Sequence, residues 1–257
     1  MKRASLPSIA ALAAVLAGPA VAADLPLKEP ASFAARFNWT SCYLGGHLGG
    51  AFATKDITDP VQLVQDQFAG APVTTGVTTV SPTPSGVLIG GQIGCDYQFS
   101  SSLVVGIEGA ASGSTMKSTK SVTLPLGNPD TASVKATTDF LTSLTARFGY
   151  AADNLLFYAK GGGALAGDKY DVTGSFVGVP FAFRGTENRV GWTVGGGVDW
   201  GFADHWSANV EYDYYRFGHG TVTMSDPVNV LSGPVDVRQT IHVVKVGLNF
   251  HIWGAGL

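Results

Sequence analysis

Cysteine is nearly missing from this chain. Two residues, Cys42 and Cys95, stand among 257. They are too few for a disulfide-dense scaffold and have no C-x-x-C spacing, which removes the usual structural zinc motifs. Charge is scarce as well: 14% of residues are ionisable acids or bases, with a net charge of -3. A nucleic-acid binder would be basic and a disordered tail far more charged, so neither class fits. Beyond the N-terminus no run of about 18 apolar residues occurs, so no helical membrane span is available.

What is present begins with an export signal. Lys2 and Arg3 precede a short apolar core from Ile9 to Ala17, and Ala20-Val21-Ala22 forms an A-x-A cleavage site. This pattern predicts a secretory signal peptide over 1–22, too short for a retained span. Yet mean hydropathy is +0.20, high for a soluble exported chain. An apolar, exported chain without membrane helices points to strands that cross a membrane.

Period-2 alternation marks eight candidate strands near 41–53, 86–99, 102–115, 137–150, 154–167, 189–202, 206–218 and 238–252. Their connections alternate long and short. Ser100-Ser101, Ala151 to Asp153 and Ala203 to His205 are tight, whereas 54–85, 116–136, 168–188 and 219–237 are long and rich in Thr, Gly, Pro and Val. The expected fold is all-β: a membrane-spanning, up-and-down antiparallel eight-stranded barrel with short periplasmic turns and long extracellular loops. The expected organisation is a periplasmic N-terminal segment over 23–40 and the barrel over 41–257. Tyr97, Phe99, Phe148, Tyr150, Trp200, Phe202 and Trp206 border the short turns, as a periplasmic aromatic girdle does.

If the apolar face meets lipid, the polar face lines the lumen. It collects Asp96, Glu108, Asp199, Glu211 and Asp213 against Arg147, Lys160 and Lys245, with His47 and Gln92 nearby. Eight strands leave an interior that side chains just fill. Opposite charges in that space either pair as a packed network or line a small charged pore. Function divides accordingly between a structural envelope barrel with surface contacts and a small non-specific diffusion porin. Cys42 and Cys95 approach each other near the periplasmic rim, either as two shielded thiols or as a disulfide if their Cα atoms lie within about 7 Å.

The stretch from Leu155 to Lys169 carries a competing signal, the G-x-G-x-x-A spacing of Gly161, Gly163 and Ala166 seen in dinucleotide-binding folds. That fold needs a helix after the last glycine, and Tyr170 to Gly174 reads as a loop. Glycines also cluster at Gly45-Gly46, Gly90-Gly91 and Gly195 to Gly197, a repetition one cofactor site does not need. Glycine within barrel strands serves curvature and makes room for lumen side chains. No cofactor is expected. The five histidines are scattered and show no metal-ligand spacing. A catalytic reading would draw on His219, His242 and Ser225, with no supporting carboxylate visible in the sequence.

The last strand, Lys245-Val-Gly247-Leu-Asn-Phe250-His-Ile252, follows the outer-membrane assembly pattern of polar, Gly and two hydrophobic positions. At this point the chain resembles the small porin-like outer-membrane proteins of alphaproteobacteria, often called outer-membrane immunogenic proteins, with the OmpA-type eight-stranded barrel. The matching pieces are Ala23-Asp24-Leu25-Pro26, Trp39 to Gly46, Gly90 to Phe99, Val105 to Gly109, Leu144 to Tyr150, Leu156 to Gly162 and Trp206 to Tyr212. The resemblance implies an outer-membrane location among lipid and lipopolysaccharide, and recognition by the outer-membrane assembly machinery. It also implies support of the envelope and loop contacts with a host or surface ligand. Family members end the last strand on an aromatic residue, where this chain has Ile252. The peptidoglycan-binding domain that some OmpA-type proteins append is not expected here.

Overall fold

In a strand, successive side chains point to opposite faces, and here that alternation is sustained far enough to close a ring. The computed structural model describes residues 37–58, 79–123, 131–176, 178–226 and 231–252. The signal-peptide reading over 1–22, most of the 23–40 segment and the residues after Ile252 lie outside them. Nine strands follow in order: β1 (Ser41–Thr58), β2 (Thr79–Val80), β3 (Ser85–Gln98), β4 (Leu103–Thr123), β5 (Thr131–Ala152), β6 (Leu155–Phe176), β7 (Val179–Ala203), β8 (Trp206–Asp226) and β9 (Leu231–His251). Every long strand pairs antiparallel with its neighbours, and β1 also pairs with β9, which closes eight long strands into a ring. The short β2 adds to the top of β1.

The short connections hold at the expected places. Ser102 and Asp153 adopt positive φ there, which lets strands reverse within a few residues.

The far end differs from the sequence reading. Among the described residues, the segments 116–136, 168–188 and 219–237, read as long loops, are strand over most of their length: β4 and β5 continue to Thr123 and Thr131, while β6 and β7 are laddered to Phe176↔Val179. Tyr170 to Gly174, read as a loop, lies within β6. At about 3.3 Å per residue a strand of 22 residues extends roughly 70 Å, well beyond an apolar band of about 25 Å. In these segments buried apolar residues such as Val134, Ala136, Val172 and Phe183 alternate with exposed polar ones such as Lys135, Thr173 and Arg184, and nothing obliges a strand to stop at the membrane edge.

The outward face carries a band of large apolar side chains, including Leu44, Leu48, Ile93, Ile107, Leu144, Val190 (75% exposed), Val210 and Val246. Toward the short turns the band ends in Tyr97, Phe99, Phe148, Tyr150, Trp200, Phe202 and Trp206, all exposed. Soluble proteins rarely expose an apolar patch of this extent, whereas a barrel wall in lipid requires one. Above the band the outward residues turn polar. Irregularities in the ladders fall at that boundary, between Gly113 and Met116, Thr138 and Phe140, and Phe217 and Gly220.

The β7–β8 ladder is also interrupted between Arg184 and Gly191. The Arg189 guanidinium spans this seam by donating to the carbonyls of Gly218 and Val237.

Candidate functional site in the barrel interior

The interior is built in five layers, each legible along one strand. On β1 the inward residues climb from Tyr43 and His47 through Ala51 and Ala53 to Lys55 and Ile57. β5, β6 and β9 repeat this order of polar, apolar, polar and apolar, with Arg147, Leu141, Thr138 and Val134 on β5, Lys160, Ala164, Asp168 and Val172 on β6, and Lys245, Ile241, Gln239 and Val237 on β9. Below them all, at the short-turn mouth, sits an aromatic layer.

That lowest layer contains Phe37, Trp39, Val104, Ala151, Leu156 and Tyr158. Backbone hydrogen bonds hold the segment before β1 in place: the Phe37 amide donates to Asn154 Oδ1 at 3.1 Å and the Trp39 amide to Gln98 Oε1 at 3.0 Å. Trp39 is fully buried, edge-on to His251. The sequence reading ended the barrel at residue 41 and did not see this closure, because Phe37 and Trp39 belong to no strand alternation.

Above it lies the charged layer. The structure brings together Asp96, Glu108, Arg147, Lys160, Asp199, Glu211, Asp213 and Lys245, all buried. Lys160 Nζ lies 2.7 Å from Glu108 Oε1 and 2.5 Å from Glu211 Oε1. Lys245 Nζ lies 2.7 Å from Glu211 Oε1 and 3.1 Å from Asp213 Oδ2. Arg147 reaches Glu108 at 3.3 Å, Asp96 at 3.4 Å and Asp199 at 3.7 Å.

Five carboxylates here face three cations, and tyrosine hydroxyls supply the missing donors. Tyr43 donates to Glu108 and Tyr158 to Glu211, both at 2.7 Å. Arg147 also donates to the Tyr43 hydroxyl and stacks 4.1 Å from the Tyr158 ring centroid. A relay of polar side chains completes the layer: Ser112, His47, Gln92 and Asn249 are joined in sequence by hydrogen bonds and lead to the Asp199 carboxylate. Alternation identifies Tyr43 as inward once Cys42 is outward, so the tyrosines were within reach of sequence reasoning but were not singled out.

Glycines make this crowding feasible. A Cβ on Gly94 would overlap the Tyr43 ring and lie 2.8 Å from the Ile107 carbonyl oxygen. One on Gly195 would overlap the Asp213 carboxylate. Gly163, one of the nucleotide-like trio, faces outward with nothing within 4 Å. Gly94→Ala is therefore expected to destabilise the barrel by about 1–3 kcal/mol through overpacking, while Gly163→Ala leaves its urea midpoint unchanged. Equal midpoints for the two variants would refute this account.

Above the charges an apolar layer of Ala51, Leu88, Met116, Leu141, Phe217, Ile241 and neighbours fills the section. Lys55 Nζ and Asp168 Oδ1 then pair at 2.7 Å with both side chains fully buried, supported by Thr138. Burial pulls the Lys55 ammonium below its ordinary range, and Asp168 opposes that shift. A final apolar layer of Ile57, Val134, Tyr170, Phe183, Val222, Met224 and Val237 fills the top.

The remaining predicted residues occupy β9 and the rim. Lys245 points inward, Gly247 lies against Asn209, and Phe250 and Ile252 face out. The Ile252 amide donates to the Cys42 carbonyl at 2.9 Å. Cys42 and Cys95 are register partners joined as a disulfide, with Cα atoms 3.9 Å apart. The catalytic alternative finds no common place: His242 pairs in register with Tyr214, whereas Ser225 pairs with Ser232. Eleven rungs of β8 separate Tyr214 from Ser225, roughly 36 Å of chain. The His219 side chain lies outside the described residues.

A closed antiparallel ring with an apolar outer band and polar inner face defines an integral outer-membrane β-barrel protein. The chain belongs to the family described as the outer membrane protein beta-barrel domain, which it matches over residues 8–250. It is similar to the 31 kDa outer-membrane immunogenic proteins of Brucella melitensis and Brucella suis. Each is 27% identical over 254 residues, covering 94% of this chain and 97% of the relative. Among solved structures, the outer membrane protease OmpT of Escherichia coli aligns with a TM-score of 0.49 at 9% identity, over 84% of this chain and 98% of that one. OprG of Pseudomonas aeruginosa aligns with a TM-score of 0.44 at 15% identity, over 83% and 98%.

Proposed function

We propose that this protein is a closed, non-conducting and non-catalytic barrel that supports the outer membrane and offers its extended strands for surface contacts. One observation carries the reading: the interior is filled along its height, from Trp39 at the periplasmic mouth to Phe183 at the extracellular end. An aqueous path has to cross two apolar layers and a charge layer whose members already pair with one another. A diffusion porin needs the opposite, a polar lining held apart by water.

Planar-bilayer recording of the refolded mature chain tests the proposal. The expected trace is flat at voltages where porins open, from protein whose heat-modifiable gel migration shows it folded. Reproducible conductance steps from that material would overturn it in favour of the porin.

A further inference from the structure

The ring is closed through the apolar band and opens above it, beside β4. The β3–β4 ladder ends upward at Ser85↔Lys117, whereas β4 continues along β5 to Thr123. At this height β2 takes the place of β3, and among the described residues it pairs with β1 alone. Ser81-Pro82-Thr83-Pro84, between β2 and β3, also leans on β1. The Ala53 amide donates to the Pro84 carbonyl at 2.7 Å and the Lys55 amide to the Pro82 carbonyl at 3.1 Å.

From Ser118 to Thr123, β4 therefore has one edge bonded to β5 and, among the described residues, no strand paired to the other. Burial agrees. Lys120 and Val134 are register partners and share a face, yet Val134 is 1% exposed while Lys120 lies open to solvent. The uppermost apolar layer takes residues from β5 to β9 and β1, and none from β4. A strand paired on one side directs the N–H and C=O of every second residue at the empty side.

Charge at this edge is unmatched as well. Lys117, Lys120 and Lys135 are all exposed, and Lys135, the register partner of Thr119, stands diagonal to Lys117 at about 7–8 Å. None of them has an ion-pair partner among the described residues, whereas Lys55, Lys160, Lys169 and Lys245 each hold a carboxylate.

We infer that the free edge of β4 is a docking surface for an extended acidic segment of a partner protein, which adds to β4 as an antiparallel strand. Main-chain hydrogen bonds supply the affinity, and the side chains alongside select the sequence. Lysines on an edge discourage pairing with apolar or basic strands, the β4 of a second copy included, and leave acidic ones favoured. The inference rests on the surface-contact reading above and names its mode and its partner class.

The test uses the refolded mature chain in detergent micelles, with a fluorescent peptide of alternating Thr and Glu as the probe, followed by anisotropy. The peptide is expected to bind, more weakly with added salt, and to slow amide hydrogen exchange within 118–123. A peptide of alternating Thr and Lys is expected not to bind. An analogue N-methylated at every residue keeps the charges but has no N–H to donate. It should bind at least about tenfold more weakly, because several hydrogen bonds are lost. Lys117→Glu with Lys120→Glu should weaken binding as much, with unaltered gel mobility, and Lys169→Ala should leave it intact.

Equal binding of the N-methylated analogue would overturn the inference. So would dextran sulfate displacing the peptide while exchange within 118–123 stays fast throughout, since the lysines would then be a general anion patch. Full binding by the charge-reversed variant would also sink it, as would a dimer of the free protein in which 118–123 are already protected. A flat bilayer trace with no peptide binding fails this inference alone. Conductance steps with peptide binding fail the closed-barrel reading alone.

Discussion

Replacing Arg147 by alanine is expected to lower the unfolding free energy of the refolded barrel by about 3–5 kcal/mol, the scale of orphaning a buried charge. Arg147 contacts three carboxylates, Asp96, Glu108 and Asp199, each almost fully buried. Glu108 keeps Lys160 and the Tyr43 hydroxyl when the guanidinium goes. Asp96 does not. Among the described residues its carboxylate oxygens make no hydrogen bond, and Arg147 is its ion-pair partner.

The loss should therefore be concentrated on Asp96 and Asp199. An Asp96→Asn, Asp199→Asn background is expected to recover much of it, because an amide buried without a cation costs far less than a carboxylate. Urea titration of the wild type, the single variant and the triple variant measures the coupling. A single variant with wild-type unfolding would mean that the charged layer does not hold the barrel together. Gain of conductance in Arg147→Ala, with stability unchanged, would mean that these residues line a pore.

The second large effect belongs to the disulfide. A Cys42→Ser, Cys95→Ser double variant is expected to lose up to about 4 kcal/mol, the loop-closure contribution of a cross-link spanning 53 residues. Its position adds a consequence for assembly. Cys42 pairs with Cys95 on one side, while its carbonyl accepts the Ile252 amide on the other. The bond thus secures β1 to β3 at the rung where β1 must also receive the end of β9.

The double variant should fold more slowly into vesicles and unfold at lower urea, with its final gel mobility unaltered. Thiol labelling under denaturing, non-reducing conditions checks the premise. Two freely alkylated cysteines in the native protein would remove the explanation altogether.

The eight charged residues were legible because each sits opposite apolar neighbours in an unbroken alternation, as Arg147 does between Ala146 and Phe148. The glycine trio was also readable as barrel geometry, since it recurs in four strands. Three things were not legible.

Phe37 and Trp39 precede the first strand, so no periodicity assigns them a face, and only the Asn154 and Gln98 contacts reveal the closure. The Lys55–Asp168 pair joins residues 113 apart in sequence, within segments read as loops. The strand extensions were missed because alternation reverses its meaning at the membrane edge. Below it Leu144 and Phe148 face out while Thr145 and Arg147 face in. Above it Val134 and Ala136 face in while Lys135 is exposed.

Lipid makes the outside the apolar side, and water makes it the polar side, with the ladder irregularities at Thr138 and Gly113 marking the change. A reader of one strand sees only that two faces differ. The sequence by itself determined the eight strands of the ring, the short turns and which residues of the membrane-crossing part share a face, since these depend on residue type and on a period of two. Which residues meet was decided by the tertiary structure. Alternation assigns a side chain to a face but not to a height. Only the register of eight strands around a closed ring puts Arg147 level with Asp96 and Asp199, and Lys55 level with Asp168.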